Sequence, residues 1–323
     1  MPRFRIPRHD MRDPYRGPCA GMRGRQVRLP IAVATGVLVL ILAGCASHAT
    51  RDAAVSQPLR IVTWNLEHLA ETDGLGCRPR TEADYAALRG YADQLGADVI
   101  AFEEVENMAA AERVFPADRY TVILSQRPSS GRAGFCGHDA TDGPTIRDQK
   151  VGFAIRKGIG FTRNPDLSEL AIGNPDLRWG VDITLTGEKP LRLLALHLKS
   201  GCSAGTEREP CPILFDQVPV LQRWIAARRA EGMPFAMLGD WNRRLALADD
   251  VVWKRLNESV PLLDAAEGKP ATCAQRYPDF IDHIVLDPAA AMRRVEGSFA
   301  EFTYGVAEDK HPSDHCPVGI TLR

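Results

Sequence analysis

The chain has 323 residues, of which 45% are apolar and 25% charged, a composition typical of globular rather than disordered or collagen-like proteins. Its net charge of −1 excludes a uniformly polycationic nucleic-acid-binding protein. The charge is uneven, because residues 1–44 hold eight arginines and two aspartates and carry +6, which leaves −7 on the remainder. The two parts are therefore expected to have different roles.

An apolar run of thirteen residues, 31–43, follows the arginine-rich start. A membrane-spanning helix needs roughly 20 such residues, so this run is too short to cross a bilayer and has the length of a secretory signal core. We predict that residues 1–44 are a signal peptide. We interpret Met22 as the true start, with Met11 as the alternative, because a start at Met1 gives an unusually long charged region.

The apolar run ends in Leu42, Ala43, Gly44 and Cys45, a tetrad that resembles the bacterial lipobox. The resemblance implies cleavage before Cys45, diacylation of this cysteine, and a mature protein anchored to a membrane by its first residue. Residues 45–58 are then the lipidated cysteine and a small, polar, flexible tether. We expect an exported protein of the bacterial envelope, anchored in the outer membrane and facing the periplasm or the outside. A plain cleaved signal and an uncleaved anchor stay open.

Cysteine usage agrees with export, because six cysteines remain after Cys19 and Cys45 are set aside. An even number in an exported chain favours disulfides, although six cysteines allow fifteen pairings. Cys202 and Cys211 close a short loop and are the favoured pair, and the sequence contains no C-x-x-C metal spacing. The candidates for disulfides are Cys77, Cys136, Cys202, Cys211, Cys273 and Cys316.

Residues 59–323 contain no repeat, low-complexity stretch or second linker, which predicts a single domain. Apolar segments of strand length recur along it, with helical patterns between some of them. This order predicts an α/β fold with helices outside the sheets. The predicted strands are 59–64, 98–102, 151–156, 181–185, 191–198, 235–239, 280–286 and 316–322, and the predicted helices are 81–95, 104–114, 215–230 and 246–256.

Carboxylate, amide and imidazole side chains stand at the ends of most predicted strands. Any one of them is commonplace, but together they indicate a site assembled along one edge of a sheet. They are Asn65, Glu67, Glu103, Glu104, His197, Asp240, Asn242, Asp282, His283, Asp314 and His315.

Five of these motifs, including LGDWN and SDHCPV, occur in the order and context of the endonuclease/exonuclease/phosphatase superfamily, the deoxyribonuclease I-like fold. From residue 59 to the end, the chain resembles this family. The resemblance implies a four-layered α/β sandwich, in which two stacked, mostly antiparallel β-sheets are flanked by helices. It also implies hydrolysis of a phosphate ester with a divalent cation, Mg²⁺ or Mn²⁺, by attack of an activated water.

The resemblance implies that Glu104 is the main metal ligand, with the amide of Asn65 beside it and Asp314 in direct or indirect contact. Mg²⁺ takes oxygen ligands and keeps several waters, which suits these residues. Lys199 is expected to contact a substrate phosphate, the alternative being a solvated loop lysine. Glu103 stands where many members have Gln; it either raises metal affinity, admits a second ion or faces outward.

The catalytic roles follow from the same resemblance. Asp240 orients and deprotonates the attacking water, and Asn242 donates to a phosphate oxygen. His315, oriented by Asp282, contacts the phosphate or transfers a proton. His197 matches a second proton-transfer residue of deoxyribonuclease-like members, the alternative being a strand-end histidine bonded to backbone.

Two rival interpretations come from other classes. Ser203 lies in a G-x-S-x-G motif, and Ser203, Asp282 and His315 follow the order of a serine α/β-hydrolase triad, although the residues after Ser203 disfavour the required helix. The other rival is a catalytically silent lipoprotein that binds an envelope component. It predicts the loss of a catalytic position, yet every position is filled.

The substrate stays open among DNA, RNA, sphingomyelin, a phosphoinositide and a small phosphoester. The partners expected are therefore a nucleic acid or a lipid headgroup, and the membrane through the N-terminal lipid. A charge of −7 gives nucleic acid no general attraction, so local pairs such as Arg243 with Arg244, or Arg127 with Arg132, would have to hold it. No protein partner is implied, and a monomer is expected.

Overall fold

The computed structural model describes residues 57–129, 134–137, 140–258 and 260–323. The predicted signal peptide, Cys45 and all but the last two residues of the tether lie outside the described residues, as does Arg132. Among the helices of the described ranges, none is long and apolar enough to cross a membrane.

Twelve strands and five α-helices make up the described part of the chain. The strands are β1 (Leu59–Leu69), β2 (Val99–Val105), β3 (Tyr120–Leu124), β4 (Lys150–Arg156), β5 (Phe161–Arg163), β6 (Val181–Leu185), β7 (Leu191–His197), β8 (Phe235–Asp240), β9 (Leu263–Asp264), β10 (Asp282–Leu286), β11 (Ala300–Glu301) and β12 (Val318–Leu322). The helices are α1 (Glu82–Leu95), α2 (Met108–Val114), α3 (Cys211–Ala230), α4 (Val251–Leu256) and α5 (Pro288–Arg293).

The strands form two six-stranded sheets, with the orders β11-β12-β1-β2-β4-β3 and β5-β6-β7-β8-β10-β9. In each sheet one central pair is parallel, β1 with β2 and β7 with β8, and the other pairs are antiparallel. Three apolar layers separate the elements. One lies between the two sheets, one between the first sheet and helices α1 and α2, and one between the second sheet and helices α3 and α4. The predicted four-layered, mostly antiparallel sandwich is confirmed.

All eight predicted strands are present, and the helix boundaries differ for local reasons. Helix α1 begins after Thr81, which forms a capping box with Asp84, whose side chain accepts from the Thr81 amide at 2.7 Å. Helix α2 starts four residues later than predicted, because β2 continues through Val105. Helix α3 starts four residues earlier, at Cys211, because prolines at its first turn are compatible with a helix start.

The six cysteines of residues 59–323 form three disulfides: Cys77–Cys136, Cys202–Cys211 and Cys273–Cys316. The favoured short-loop pair is among them. Each bond joins segments outside the sheets, because none of its cysteines lies in a β-strand.

Candidate active site

The alternation of side chains along each strand explains why polar residues meet at one point. In β1 and β2, Ile61 and Val99 belong to the apolar layer between the sheets, so Asn65 and Glu103, an even number of residues later, face the same layer. The same count brings His197 of β7, Asp240 of β8 and Asp282 of β10 to that layer, because Ala195, Leu238 and Ile284 belong to it. The site therefore forms at the end of the apolar layer between the two sheets.

Asp282 and His315 form the closest pair of ionisable side chains in the site. Asp282 lies directly opposite Asp240 in the pairing of β10 with β8, and its Oδ2 is 2.7 Å from His315 Nδ1. Burial alone would lower the pKa of His315, but the charge and hydrogen bond of Asp282, with the charges of Asp240 and Asp314, raise it well above its ordinary value. His315 is therefore held as an imidazolium with Nε2 turned to the remaining carboxylates.

Hydrogen bonds from the first strand fix the backbone of His315. The Ser313 hydroxyl donates to the Asn65 carbonyl at 2.7 Å and accepts from the His315 amide at 3.2 Å. The Tyr304 hydroxyl donates to the His315 carbonyl at 2.5 Å. These bonds hold the loop before β12 against β1, so the first sheet positions the His315 imidazole.

Asp240 lies between two imidazoles and an amide. Its Oδ2 is 3.2 Å from Asn65 Nδ2, 3.5 Å from His197 Nε2 and 3.9 Å from His315 Nε2. Its Oδ1 accepts from the backbone amide of Asn242 at 2.7 Å. Burial, with the charges of Asp282 and Glu104, raises the pKa of Asp240 to about 7, although His315 and the Asn242 amide lower it. A carboxylate with this pKa can accept a proton near neutral pH.

Backbone strain is concentrated around Glu104. Among the described residues, five non-glycine residues have a positive φ, and four of them, Glu67, His68, Glu104 and Asn242, belong to or adjoin the site. Glu104 has φ 61° at an irregularity in the pairing of β2, which breaks the alternation of the strand. Its side chain accepts from the His68 amide at 3.0 Å and lies 3.9 Å from His197 Nε2. Burial would raise the pKa of Glu104, but nearby positive charges, first that of His68, lower it overall.

Glu103 is fully buried, so the interpretation that it faces outward is wrong. Its Oε1 accepts from the Thr63 hydroxyl at 3.0 Å, while its Oε2 has no hydrogen-bond partner among the described residues. Burial, with the charges of Asp282 and Asp240, raises the pKa of Glu103 well above its ordinary range. The side chain therefore lies beside Asp240 and Asp282 in surroundings that favour its protonated form, which has the shape of the Gln that the family resemblance leads one to expect.

Three predicted residues lie at the edge of the site. Asn242 is nearly buried, and its amide donates to the Leu198 carbonyl at 3.2 Å. The Asp314 side chain is 63% exposed, with Oδ1 at 3.9 Å from His315 Nε2. Lys199 donates from Nζ to the Ser200 carbonyl at 2.9 Å. Asp314 thus borders His315, and Lys199 lies two residues beyond the end of β7.

Arg178 is a functional candidate that sequence reasoning missed. It is buried, donates to the Leu198 carbonyl, and its charge lowers the pKa of both Glu104 and His197. Burial, followed by Arg178 and His315, holds the pKa of His197 well below its ordinary value, so this imidazole is neutral. Arg178 precedes β6 in a segment without a polar motif; a lone arginine just before an apolar strand was the only available signal.

The serine-hydrolase interpretation lacks the helix that it requires. Residues 201–210 form a loop, so Ser203 does not begin the helix of a hydrolase elbow. A serine triad would require His315 to face Ser203, whereas among the described residues its Nε2 faces Asp240 and Asp314.

His283 belongs to the opposite face of β10, where its Nδ1 is 2.9 Å from Asp264 Oδ2, and it is a buried structural residue.

The donor set fits a divalent cation. The carboxylates of Glu104, Asp240, Asp282 and Asp314 lie around His315, and the charges of Asp282 and Glu104 add to burial in raising the pKa of Asp240. A phosphate anion would be repelled here unless a cation compensated, and carboxylate oxygens are the ligands of hard divalent ions. Ligand atoms of Asp240, Asp282 and His315 lie within 4.8 Å of one another, a group that could hold a metal ion. Because Asp282 already occupies His315 Nδ1, this group suits proton transfer better, and Glu104 is the freer metal ligand.

Solved structures with the same fold cover most of the chain. The human Nocturnin catalytic domain with bound sulfate aligns with a TM-score of 0.56 and 16% identity, over 82% of this chain and 94% of that one. TDP2 from D. rerio, complexed with a single-strand DNA product, aligns with a TM-score of 0.56 and 16% identity, over 83% and 99%. The mannosyl-6-phosphatase Bt3783 from Bacteroides thetaiotaomicron VPI-5482 aligns with a TM-score of 0.52 and 15% identity, over 82% and 100%. At these identities the likeness shows the fold alone.

No curated protein sequence matches the chain significantly. The sequence model of the Endonuclease/Exonuclease/phosphatase family, by contrast, matches residues 62–315, which include every predicted catalytic and metal residue. Members of this family are phosphoester hydrolases, in agreement with the carboxylates and imidazoles described above. The chain therefore belongs to the endonuclease/exonuclease/phosphatase family.

Proposed function

We propose that the protein is a divalent-metal-dependent phosphodiesterase that hydrolyses its substrate by attack of an activated water. The observation that carries the proposal is the Asp282–His315 pair, 2.7 Å apart, next to a buried Asp240 with a pKa of about 7. His315 is held protonated, while the neighbouring Asp240 can accept a proton. This separation of pKa values is what acid–base catalysis at neutral pH requires.

Asp240 is the proposed base. Hydrogen bonds from the Asn65 side chain and the Asn242 backbone amide fix the orientation of the Asp240 carboxylate. As the oxygen of the attacking water bonds to phosphorus, Asp240 Oδ2 accepts the proton that the water loses. The neutral His197 lies 3.5 Å from the same oxygen, and its buried Nδ1 has no hydrogen-bond partner among the described residues. A neutral imidazole carries one N–H and one acceptor nitrogen, so His197 can donate a hydrogen bond to Asp240, and its lowered pKa leaves Asp240 as the stronger base.

His315 is the proposed donor to the phosphate. Its Nε2 is 3.9 Å from both Asp240 and Asp314, too far for a direct hydrogen bond to either, so its N–H can donate to a phosphate oxygen beside them. In this position the imidazolium donates to the oxygen that gains charge in the transition state, and Asn242 and Lys199 provide further donors. Asp282 keeps the imidazole charged and oriented.

Glu104, with Asn65 and Asp314, would hold Mg²⁺ or Mn²⁺. When bound, such an ion neutralises the phosphate oxygens and stabilises the leaving oxygen. The excess of carboxylates supports this assignment, because an anionic substrate cannot approach them uncompensated.

A substrate panel tests the proposal. Purified protein is assayed on an aryl phosphodiester, plasmid DNA and sphingomyelin vesicles, with Mg²⁺ and with chelator. We expect hydrolysis of at least one substrate that stops in chelator, and no effect of a serine-directed fluorophosphonate. Activity that persists in chelator, or is abolished by the fluorophosphonate, contradicts the proposal and favours the Ser203 hydrolase.

We also propose that the chain is exported and lipidated at Cys45. Three disulfides support an oxidising compartment, since such bonds are rare in the cytosol. Incorporation of radiolabelled palmitate into the wild type but not into Cys45→Ser is expected. Equal labelling of both would contradict lipidation at this residue.

A further inference from the structure

The two carboxylate oxygens of Glu104 have different surroundings. Oε2 accepts from the backbone amide of His68 at 3.0 Å. Oε1 lies 3.9 Å from His197 Nε2, the nitrogen that also faces Asp240 at 3.5 Å. The backbone of β1 therefore holds one oxygen of Glu104, and the other is turned toward the catalytic group, where a cation would bind.

The backbone of β1 is strained at the residue that donates to Glu104. His68 has φ 52° and Glu67 before it has φ 44°, both in the left-handed region that favours glycine. The pairing of β1 with β2 is irregular over the same stretch, between Asn65 and Leu69. Such strain persists only where surrounding contacts maintain it, and it is concentrated at functional sites. We therefore expect contacts of the His68 side chain to stabilise this conformation.

A glutamine contacts the His68 ring. Gln149 lies directly before β4, and its Nε2 is 3.3 Å from His68 Nδ1. An amide nitrogen only donates hydrogen bonds, so Nδ1 is the acceptor and the ring carries its N–H on Nε2. Nε2 lies 3.6 Å from Glu104 Oε2, the oxygen that the His68 amide also holds. The ring therefore contacts Gln149 through one nitrogen and faces Glu104 with the other.

The contact between His68 and Gln149 crosses the strand that carries Glu104. In the first sheet β2 lies between β1 and β4, and its pairing with both neighbours is irregular around Glu104. The side chains of His68 and Gln149 thus connect the two outer strands at the point where regular pairing is interrupted. This connection lies beside the metal ligand and has no part in the acid–base chemistry of Asp240 and His315.

We propose that His68 and Gln149 are positioning residues, which hold Glu104 in the geometry that binds the divalent cation. Gln149 fixes the His68 ring, the ring stabilises the left-handed backbone, and the His68 amide holds Glu104 Oε2. The ring is not itself a metal ligand, because its Nε2 carries a hydrogen and a metal needs the free lone pair. The inference rests on the proposed function and adds two residues to the metal site that this function requires.

Mn²⁺ binding to the purified protein, measured by electron paramagnetic resonance, tests the proposal without turnover. Glycine adopts a left-handed backbone without strain, so His68→Gly keeps the amide and removes only the ring that holds it in place. We expect the Mn²⁺ Kd to rise about tenfold, the usual effect of losing a residue that orients a metal ligand. The melting temperature without metal should not fall, because strain is relieved; a residue with a merely structural role would show the reverse.

Gln149→Ala should also raise the Mn²⁺ Kd. The double variant should bind Mn²⁺ no more weakly than His68→Gly alone, because both residues act through the same ring. Additive losses would contradict this sequence of contacts. Gln222→Ala is the matched control, because it removes an amide that donates to the Arg255 carbonyl from helix α3, outside the site, and it should leave the Kd unchanged.

Glu104→Gln separates this inference from the proposed function. A raised Kd in Glu104→Gln, with a wild-type Kd in both His68→Gly and Gln149→Ala, overturns the inference alone. A wild-type Kd in Glu104→Gln contradicts the proposed metal site, and the inference with it. A nitrogen coupling to bound Mn²⁺ that disappears from the electron spin echo spectrum in His68→Gly would also overturn the positioning role, because the ring would then be a ligand.

Discussion

Asp240 is a buried carboxylate whose ionised form is disfavoured in the folded protein. Its pKa rises from 3.8 to about 7 because of burial and of the charges of Asp282 and Glu104. The folded state therefore binds this proton more tightly than the unfolded state does. The resulting stabilisation is present below pH 3.8 and is lost as the pH rises through about 7.

The change Asp240→Asn removes this titration and keeps the shape of the side chain. In chelator, we expect the variant to be more stable than the wild type, with a larger gain in the free energy of unfolding at pH 8 than at pH 5. Each pKa unit corresponds to about 1.4 kcal/mol, so the gain should reach a few kcal/mol. Urea unfolding at both pH values measures it; an equal gain at both would contradict the raised pKa.

Asp282 acts through His315, whose pKa it raises. Removing its charge with Asp282→Asn should lower that pKa, so the active imidazolium is lost at lower pH than in the wild type. We expect the alkaline fall in kcat/KM to move to lower pH, together with a loss of about 100-fold at the optimum. A pH–rate profile checks both; a profile of unchanged shape would show that Asp282 does not set the charge of His315.

At the scale of elements, the Cys273–Cys316 bond fastens the loop that carries His315. The Cys77–Cys136 bond is a matched control, since their sequence separations are 43 and 59 residues and neither Cys77 nor Cys136 is next to a catalytic residue in the chain, as Cys316 is to His315. By loop entropy, removal of either bond by paired Cys→Ser changes should cost about 4 kcal/mol of stability. We expect only the loss of Cys273–Cys316 to lower kcat as well, measured at a temperature where both variants are folded. Equal kcat values in the two variants would refute a positioning role.

Strand alternation makes much of this site predictable from sequence. Alternate residues of a strand face the same side of its sheet, so Asp240 faces the same side as Leu238, and Asp282 the same side as Ile284. The order of the amino acids alone gives this result. The same alternation separates His283 from the site. Eight of the strands follow from apolar periodicity, and the four layers follow from the family resemblance that the order of the motifs carries.

Other parts of the site depend on contacts between distant segments. Glu104 reaches the site because its backbone is left-handed, and a sequence pattern of period two cannot reveal that break. Gly239 permits the close approach of β8 to β7, since an added Cβ would lie 1.9 Å from the Leu196 carbonyl oxygen. Arg178 enters from a loop with no motif. These features come from tertiary packing, which overrides local preference.

Over the whole molecule, negative charge makes cation binding a source of stability. The chain after residue 44 carries −7, and four of its carboxylates lie around His315. Mg²⁺ at a hundred times its Kd should raise the free energy of unfolding by about 2.7 kcal/mol. Thermal unfolding of the wild type and of Glu104→Gln, with and without Mg²⁺, measures this. A similar rise in Glu104→Gln would show that the ion binds elsewhere.

The kcat values of Asp240→Asn and Ser203→Ala, on one phosphodiester at saturating Mg²⁺, decide whether Asp240 activates water for hydrolysis while Ser203 takes no part. We expect a loss of at least about 100-fold in Asp240→Asn, the typical contribution of a general base, and a wild-type kcat in Ser203→Ala. A wild-type kcat in Asp240→Asn, or an inactive Ser203→Ala that still folds, would contradict these roles.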